Sequence, residues 1–246
     1  MSAAVFGVTS RIGREIALRL AEQGKTVWVG ARDLAEAETI AADITIRTGT
    51  RAVAGRFDAR DTSAMPALIA SIESEVGPLD HAVLAFGDMG DKSDPDTELT
   101  PEDLRTIVEV NYLGAATLAE CLAQVMATRN AGFIAALGSV AGDRGRQSNY
   151  AYGSAKGALH LFLGGLRNRY FSRGVHVLTV KLGFIDTRMT WGLKTKIPVG
   201  SPESASRAVV EALDARRDEI YWPPFWRGIM GVIKAIPEAG FKRLSL

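Results

Sequence analysis

A single cysteine, Cys121, stands in 246 residues. That excludes an intrachain disulfide and points to a reducing, cytoplasmic setting. Charge of either sign is barely in excess: 29 Lys and Arg face 28 Asp and Glu, a net of +1. Bulk electrostatics therefore ask for no nucleic acid. Long hydrophobic runs are missing, and none would span a bilayer. Met1 to Val8 enters a glycine turn with no basic stretch ahead of it, unlike a secretory leader. His81, His160 and His176 are scattered without metal-ligand spacing, so no metal site is expected. No linker, repeat or low-complexity tract divides the chain, and residues 1–246 are read as one domain. What is present is ordinary globular material, 47% hydrophobic and 23% charged, enough for a sizeable core.

Short apolar runs alternate with longer segments of helical period. Ala3–Val8, Thr26–Gly30, Arg51–Phe57, His81–Phe86, Phe133–Leu137, Val175–Leu182 and Glu219–Trp222 read as strands. Arg14–Gln23, Leu34–Arg47, Ser63–Val76, Pro101–Thr128, Tyr152–Phe171 and Pro202–Leu213 read as helices. The runs are apolar on both faces. This predicts an α/β fold, a single doubly wound, Rossmann-type parallel sheet of about seven strands covered by helices on each side. Ligands of such sheets sit beyond the carboxyl ends of the strands, so the residues just after each strand are the place to look for function.

The first of these places is Gly7-Val8-Thr9-Ser10-Arg11-Ile12-Gly13. It leaves a strand and opens a helix, where backbone N–H groups and the helix dipole converge on an anion. Gly7 suits the tight turn and Gly13 a close approach of helix to sheet. Arg11 stands where dinucleotide-binding turns usually carry glycine, and its guanidinium is a candidate phosphate ligand. At the tip of the second strand, where an NAD site places an acid, the run is Gly30-Ala31-Arg32. Arg32 fits a 2′-phosphate, which predicts NADP(H) as the preferred cofactor, with NAD(H) as the lesser one. Gly24-Lys25-Thr26 imitates the end of a nucleotide P-loop, but Arg19 occupies the position where that motif needs its first glycine.

Tyr152 and Lys156 lie one helical turn apart on a shared face. An ammonium beside a phenol favours the phenolate, so the pair is expected to have a lowered phenol pKa and to exchange a proton near neutral pH, as carbonyl reduction requires. Ser139, after the fifth strand, can hydrogen-bond a substrate carbonyl. A hydrolase reading of Ser139 fails, because Leu137 and Ala141 occupy the glycine positions of a nucleophile elbow. Asn111 sits inside an apolar helix, where an amide is unfavourable. It is expected to kink that helix and order a water for proton relay. Cys121, in an apolar helix, is expected to be buried and inert.

Together, Gly7…Gly13, Asp58, Asn111, Ser139, Tyr152…Lys156 and Gly183…Thr187 resemble the short-chain dehydrogenase/reductase family in order and spacing, over nearly the whole chain. The resemblance implies Tyr152 as general acid, with Lys156 lowering its pKa and holding the nicotinamide ribose. It implies Ser139 as the group positioning the carbonyl and Asn111 as the one maintaining the relay. Asp58 would meet the adenine, with Ala59 beside it and Ala85 and Gly87 behind the cofactor. Ile185 and Thr187 would meet the carboxamide. Family members commonly pair through their long helices, so a homodimer or homotetramer is expected. Three positions depart from the family: Arg11, the run Leu84-Ala85-Phe86-Gly87 in place of Asn-Asn-Ala-Gly, and Lys181-Leu182-Gly183 in place of a Pro-Gly turn.

A narrower resemblance, in Ala85-Phe86-Gly87, Ser139 to Asn149 and the tail from Ile236 to Leu244, is to decaprenylphosphoryl-2-keto-ribose reductases. Those act with a flavin oxidase partner on a lipid-phosphate pentose. Arg144, Arg146, Arg188, Lys194 and Lys196 are expected around the active-site mouth, which suits an anionic small molecule. Arg144, Arg146 and Trp191 are placed in substrate binding, and residues 188–200 as a substrate lid. In residues 224–246, Phe225, Trp226, Ile229, Met230, Ile233 and Ile236 recur at helical spacing among basic residues. That segment rests on a membrane surface as a peripheral contact, closes the pocket or packs on a partner subunit. The function expected is reduction of a ketone, on a keto-sugar or sugar-lipid phosphate. Beside it stand a general carbonyl or 3-oxoacyl reductase and an NADP-binding regulatory protein with little turnover.

Overall fold

Seven strands run parallel in one sheet. They are β1 (Ser2–Phe6), β2 (Thr26–Ala31), β3 (Ala52–Arg56), β4 (Leu79–Leu84), β5 (Gly132–Ser139), β6 (Val175–Leu182) and β7 (Glu219–Trp222), paired in the order β3-β2-β1-β4-β5-β6-β7. The structure is a computed structural model that describes residues 1–90, 98–191, 195 and 197–244. The helices are α1 (Arg11–Glu22), α2 (Leu34–Thr48), α3 (Met65–Val76), α4 (Pro101–Val108), α5 (Ala115–Ala127), α6 (Tyr150–Tyr170), α7 (Pro202–Asp214), α8 (Trp226–Ala235) and α9 (Glu238–Phe241). The doubly wound sheet expected from the alternating pattern is the one the chain forms.

Alternation along each strand divides the core. Val5, Val29, Val83 and Leu178 face Ile16, Leu20, Ile44 and Val209 of α1, α2 and α7. Phe6, Trp28, Leu84 and Ile134 face Ile69, Leu118, Leu122 and Leu163 of α3, α5 and α6. The central strand β1 is buried along its whole length, the signature of a strand covered on both sides. Helix starts follow the sequence closely. Ser10, Asp33 and Ser201 cap α1, α2 and α7 with their side chains, and Thr100 and Asp103 form a capping box ahead of Pro101.

The long helix expected from Pro101 to Thr128 is interrupted. Between α4 and α5 the chain makes a π-helical turn, Glu109–Gly114, with Asn111 inside it. Such a turn inserts one extra residue and bends the axis. Gly114 at its end is pressed so close to the loop after β3 that a Cβ there would lie 2.1 Å from the Ala59 carbonyl oxygen. β5 runs two residues further than the apolar pattern indicated, making Ser139 its last residue. Cys121 is half-buried rather than enclosed. Burial and the neighbouring Glu120 hold its thiol pKa up, which keeps it protonated.

The amphipathic tail turns inward. Trp226 and Met230 of α8 are buried against Val140, with Phe184, Tyr221, Ile229 and Ile233 around them. The apolar stripe that could have met a membrane is thus covered by the chain itself, leaving Phe225 and Val232 exposed. No helix among the described residues is long and apolar enough to cross a membrane.

Candidate active site

Because every strand points the same way, Gly7, Arg32, Phe57, Ala85, Ser139 and Gly183 gather at or just beyond one edge of the sheet. Gly7 has φ +92°, and a Cβ there would lie 2.8 Å from Phe86 Cβ and 2.9 Å from the Ala85 carbonyl carbon. Both the dihedral and the space demand glycine. Gly13 is equally confined, its notional Cβ 2.6 Å from the Gly7 carbonyl oxygen. Ser10 Oγ accepts from the Gly13 amide at the start of α1. The amides of Arg11 and Ile12 have no hydrogen-bond partner among the described residues. A helix start with free N–H groups fits a dinucleotide pyrophosphate. Thr9, between them and Gly7, is exposed.

Arg11 does not stand free for a phosphate. Its guanidinium lies 3.8 Å from the Asp186 carboxylate and 3.5 Å from Glu203, tying the turn to the segment after β6 and to α7. Arg11, Asp186, Thr187, Arg188 and Trp191 line a small cavity of about 220 Å³ there. Arg32 follows β2 exposed, with no ion pair among the described residues. Asp33, the acid next to Arg32, spends its carboxylate on the Glu36 amide as the cap of α2. This arrangement fits a 2′-phosphate rather than a free 2′-hydroxyl.

Further along the edge, Asp58 Oδ1 accepts from the Arg60 amide, and Ala59 is buried below the π-helical turn. Phe86, where the family has alanine, packs its ring on Phe57 at 5.1 Å between centroids. The departure thus adds aromatic packing to this edge. A Cβ on Gly87 would sit 2.9 Å from Asn111 Oδ1 and 3.4 Å from Lys156 Nζ, so this glycine lets both groups approach. Asn111 is fully buried. Its Oδ1 accepts from the Asp88 amide at 3.1 Å, while its Nδ2 donates to the carbonyls of Ile107 and Asp88. The irregularity expected at Asn111 takes the form of the π-helical turn. Both amide protons are engaged with backbone carbonyls, and Oδ1 keeps a second lone pair.

Tyr152 lies in the first turn of α6, 7% exposed, with the Ser139 side chain close enough to lower the phenol pKa. Lys156 is 3% exposed and donates from Nζ to the Leu137 carbonyl at 2.9 Å. The expected acidification of the phenol is not what the geometry gives. Burial pushes the Tyr152 pKa up to about 12, against the opposing effect of nearby Ser139. Lys156 Nζ is 5.8 Å from the tyrosine ring centroid and is held by Leu137, so it contributes no resolved pull on the phenol. Desolvation lowers Lys156 itself to about 8.

Gly183, Ile185 and Thr187 follow β6. A Cβ on Gly183 would fall 1.9 Å from Trp226 Nε1. The indole of α8 therefore covers the position that resemblance gave to the cofactor. Trp226 was readable only as part of an apolar stripe. Its place at the site depends on a return of the chain that no local signal announces. Ile185 is buried, its carbonyl accepting from Thr190 Oγ1, and the Thr187 amide donates to the same hydroxyl.

Arg144 requires correction as a substrate-rim residue. Its guanidinium donates to the carbonyls of Ile233, Lys234 and Ile236, pairs with Glu238 at 3.0 Å and stacks on Phe241. Those bonds clamp the tail and leave the head group committed. Arg146 is half-buried with its Nε unpartnered among the described residues, and desolvation lowers its pKa. Trp191 is 89% exposed, beside the Arg188–Thr190 turn of the expected lid. Lys194 and Lys196 lie outside the described residues. Among the described residues there is no cluster of metal-ligating side chains.

Comparison with known proteins places this edge in a wider setting. The chain is 34% identical over 241 residues to an uncharacterized oxidoreductase of Mycobacterium tuberculosis, covering 98% of this chain and 95% of the relative. It is 29% identical over 220 residues to the ketoacyl reductase HetN of Nostoc, covering 87% and 75%. The fold is shared with an actinorhodin polyketide ketoreductase solved with NADPH, at TM-score 0.81 and 24% identity over 92% of this chain and 96% of that one. It is shared too with a short-chain dehydrogenase from Sphingobium yanoikuyae in complex with NADPH, at TM-score 0.79 and 20% identity, over 97% of each. With the family model for short chain dehydrogenases matching residues 2–198 as well, this chain belongs to the short-chain dehydrogenase/reductase family of oxidoreductases.

Proposed function

We propose that this protein reduces a ketone to a secondary alcohol with NADPH, on an oxygen-rich substrate such as a keto-sugar or a lipid-linked sugar phosphate. The observation that carries the reading is the enclosed Tyr152 phenol, beside Ser139 and one helical turn from buried Lys156, at the carboxyl edge of the sheet. The Arg11 and Ile12 amides suit the pyrophosphate of either dinucleotide, while exposed Arg32 and the committed Asp33 favour NADP(H) over NAD(H). When bound, the cofactor supplies the hydride that reduces the carbonyl carbon. Tyr152, with its pKa at about 12, keeps its proton at working pH. It yields that proton when the substrate oxygen gains charge, because an alkoxide is a stronger base than a phenolate. Ser139 Oγ, which also accepts from the Ala141 amide at 3.1 Å, is fixed to receive the same oxygen. Lys156, charged below about pH 8 and anchored on the Leu137 carbonyl, would hold the nicotinamide ribose. Asn111 braces Gly87 and Asp88 and orders the water that returns a proton.

Substrate class is argued from unpaired polarity. Arg146 Nε, Asn149 Oδ1 and Trp226 Nε1 are buried without partners among the described residues, on the segment between Ser139 and Tyr152 and on the helix covering Gly183. Such groups are costly unless a ligand satisfies them, and a hydroxylated substrate offers donors and acceptors to do so. Residues 188–200, with Trp191, are taken as the lid. A 3-oxoacyl or polyketide substrate is the second reading, favoured by the names of the Nostoc relative and the actinorhodin neighbour.

The test is NADPH oxidation against keto-sugars, simple ketones and an oxoacyl thioester, run beside Tyr152→Phe. The wild type is expected to turn over keto-sugars best. The variant is expected to lose at least about 100-fold in rate while binding NADPH unchanged. Binding of NADPH with no turnover of any ketone would instead favour a regulatory protein.

A further inference from the structure

Next to the site lies a buried cluster that the chemistry above does not use. His160 follows Tyr152 and Lys156 on α6 at the same four-residue step, so the three share a face. Its imidazole fills a socket between the two glycines that bracket Ser139. A Cβ on Gly138 would lie 2.3 Å from His160 Nε2, and one on Gly142 would lie 2.8 Å from Cε1. Gly142 is itself pressed on α6, its notional Cβ 2.7 Å from the Gly157 amide. The Ser139 amide points at Nε2 from 3.4 Å. On the other edge of the ring, Nδ1 faces Asp143 Oδ1 at 3.8 Å.

Asp143 is enclosed, its side chain 3% exposed. It takes hydrogen bonds from Lys181 Nζ at 2.9 Å and Tyr221 Oη at 2.6 Å, with Lys234 Nζ at 3.9 Å. Burial raises its pKa, but those partners outweigh burial and hold the carboxyl below its usual value. Lys181 also pairs with Glu219 at 2.9 Å. These bonds fix Asp143 in place beside the histidine ring.

We propose that His160 is a positioning residue for Ser139, with Asp143 facing Nδ1 and setting its Nδ1–H tautomer, so that α6 and the end of β5 keep Tyr152 and Ser139 in one register. To accept from the Ser139 amide, Nε2 must lack a proton, which leaves the hydrogen on Nδ1 facing the carboxylate. The charged groups facing the ring are Asp143 from the turn after β5, Lys181 from β6 and Lys156 from α6 itself. Burial, aided by Lys181 and Lys156 and opposed by Asp143, lowers the imidazole to about 3, so the ring stays neutral through any working pH. This placement serves the reduction argued above and rests on that reading.

Two measurements decide it. Nitrogen-15 NMR of histidine-labelled full-length protein, with His160→Gln for assignment, is expected to show His160 as the neutral Nδ1–H tautomer down to about pH 5. An Nε2–H tautomer, or a midpoint near the ordinary value of about 6.5, overturns the proposal. Kinetically, His160→Leu keeps bulk but loses the acceptor, whereas His160→Gln offers a carboxamide oxygen in its place. His160→Leu is expected to lower kcat about tenfold or more, with NADPH affinity within about twofold of wild type. His160→Gln is expected to restore most of the rate. Equal rates in all three proteins, or equal losses in both variants with parallel loss of NADPH binding, overturn it. Wild type turning over no ketone defeats the proposed function by itself. The tautomer, and faster hydrogen exchange of the Ser139 amide in His160→Leu, then decide the positioning separately.

Discussion

At Arg32 a single side chain sets the cofactor argument. Asp33 beside it is removed from contention because its carboxylate caps α2, and Arg32 stays exposed and unpaired among the described residues. Arg32→Glu is therefore expected to lower the preference for NADPH over NADH by at least about tenfold, read from the two dissociation constants in a fluorescence titration. An unchanged ratio would contradict the 2′-phosphate assignment. Tyr152 and Lys156 teach a different lesson at this scale. Their spacing was legible and their shared face is real, yet the direction of the phenol shift was not. Spacing places two groups on one helix face, but the shift depends on how deeply the phenol is buried and on which atom the ammonium touches. Here the ammonium is engaged by Leu137, a strand residue.

Among the elements, α8 changes the picture most. Its apolar stripe reads as a membrane contact, as a pocket cover or as a face for a partner subunit. In the fold Trp226 packs onto Gly183 and Val140, with Arg144 clamping the chain beyond it. Gly183→Ala is expected to push the indole out of place, since its new methyl would fall 1.9 Å from Trp226 Nε1. Overpacking of this kind costs about 1–3 kcal/mol, and a lowered Tm with a red shift of tryptophan emission would register it. A variant with unaltered melting and emission would show that α8 does not depend on this contact. The π-helical turn is the second such element. Asn111 announced an irregularity in an apolar helix. The form it takes follows from the close seat of Gly114 on Ala59, a contact between segments distant in sequence.

On the scale of the whole molecule, two buried histidines tie stability to pH. His81 is 7% exposed and stacked on Phe133 at 4.9 Å, and burial, aided by Lys25, lowers it to about 4. His160 is lowered to about 3. Below the ordinary histidine value of about 6.5, the unfolded chain takes up protons that the folded chain refuses, so stability falls as pH drops. Each histidine contributes a slope of about 1.4 kcal/mol per pH unit between that value and its folded pKa. Thermal melts from pH 7 to 4.5 are expected to show a steep fall in Tm, made shallower by His81→Phe. Identical slopes would rule out His81 as a contributor. The helical layer of α4, α5 and α6 also leaves Leu161 at 82% and Leu113 at 49% exposed. We take this as the face of a homodimer or homotetramer. Leu161→Glu is expected to shift the mass in light scattering toward monomer, and an unshifted mass would place the interface elsewhere.

By itself, the sequence determined the parallel sheet, its covering helices, the glycine turn after β1 and the residues gathered at the carboxyl edge. These follow from local periodicity and from motifs whose geometry is carried by a few adjacent residues. Only the tertiary structure decided that Arg144 serves the tail, that Arg11 is tied to Asp186 and Glu203, that Trp226 covers Gly183 and that His160 seats in the Ser139 loop. Each of these joins segments far apart along the chain. Their partners are chosen by how helices and loops close over the sheet, which no run of neighbouring residues specifies.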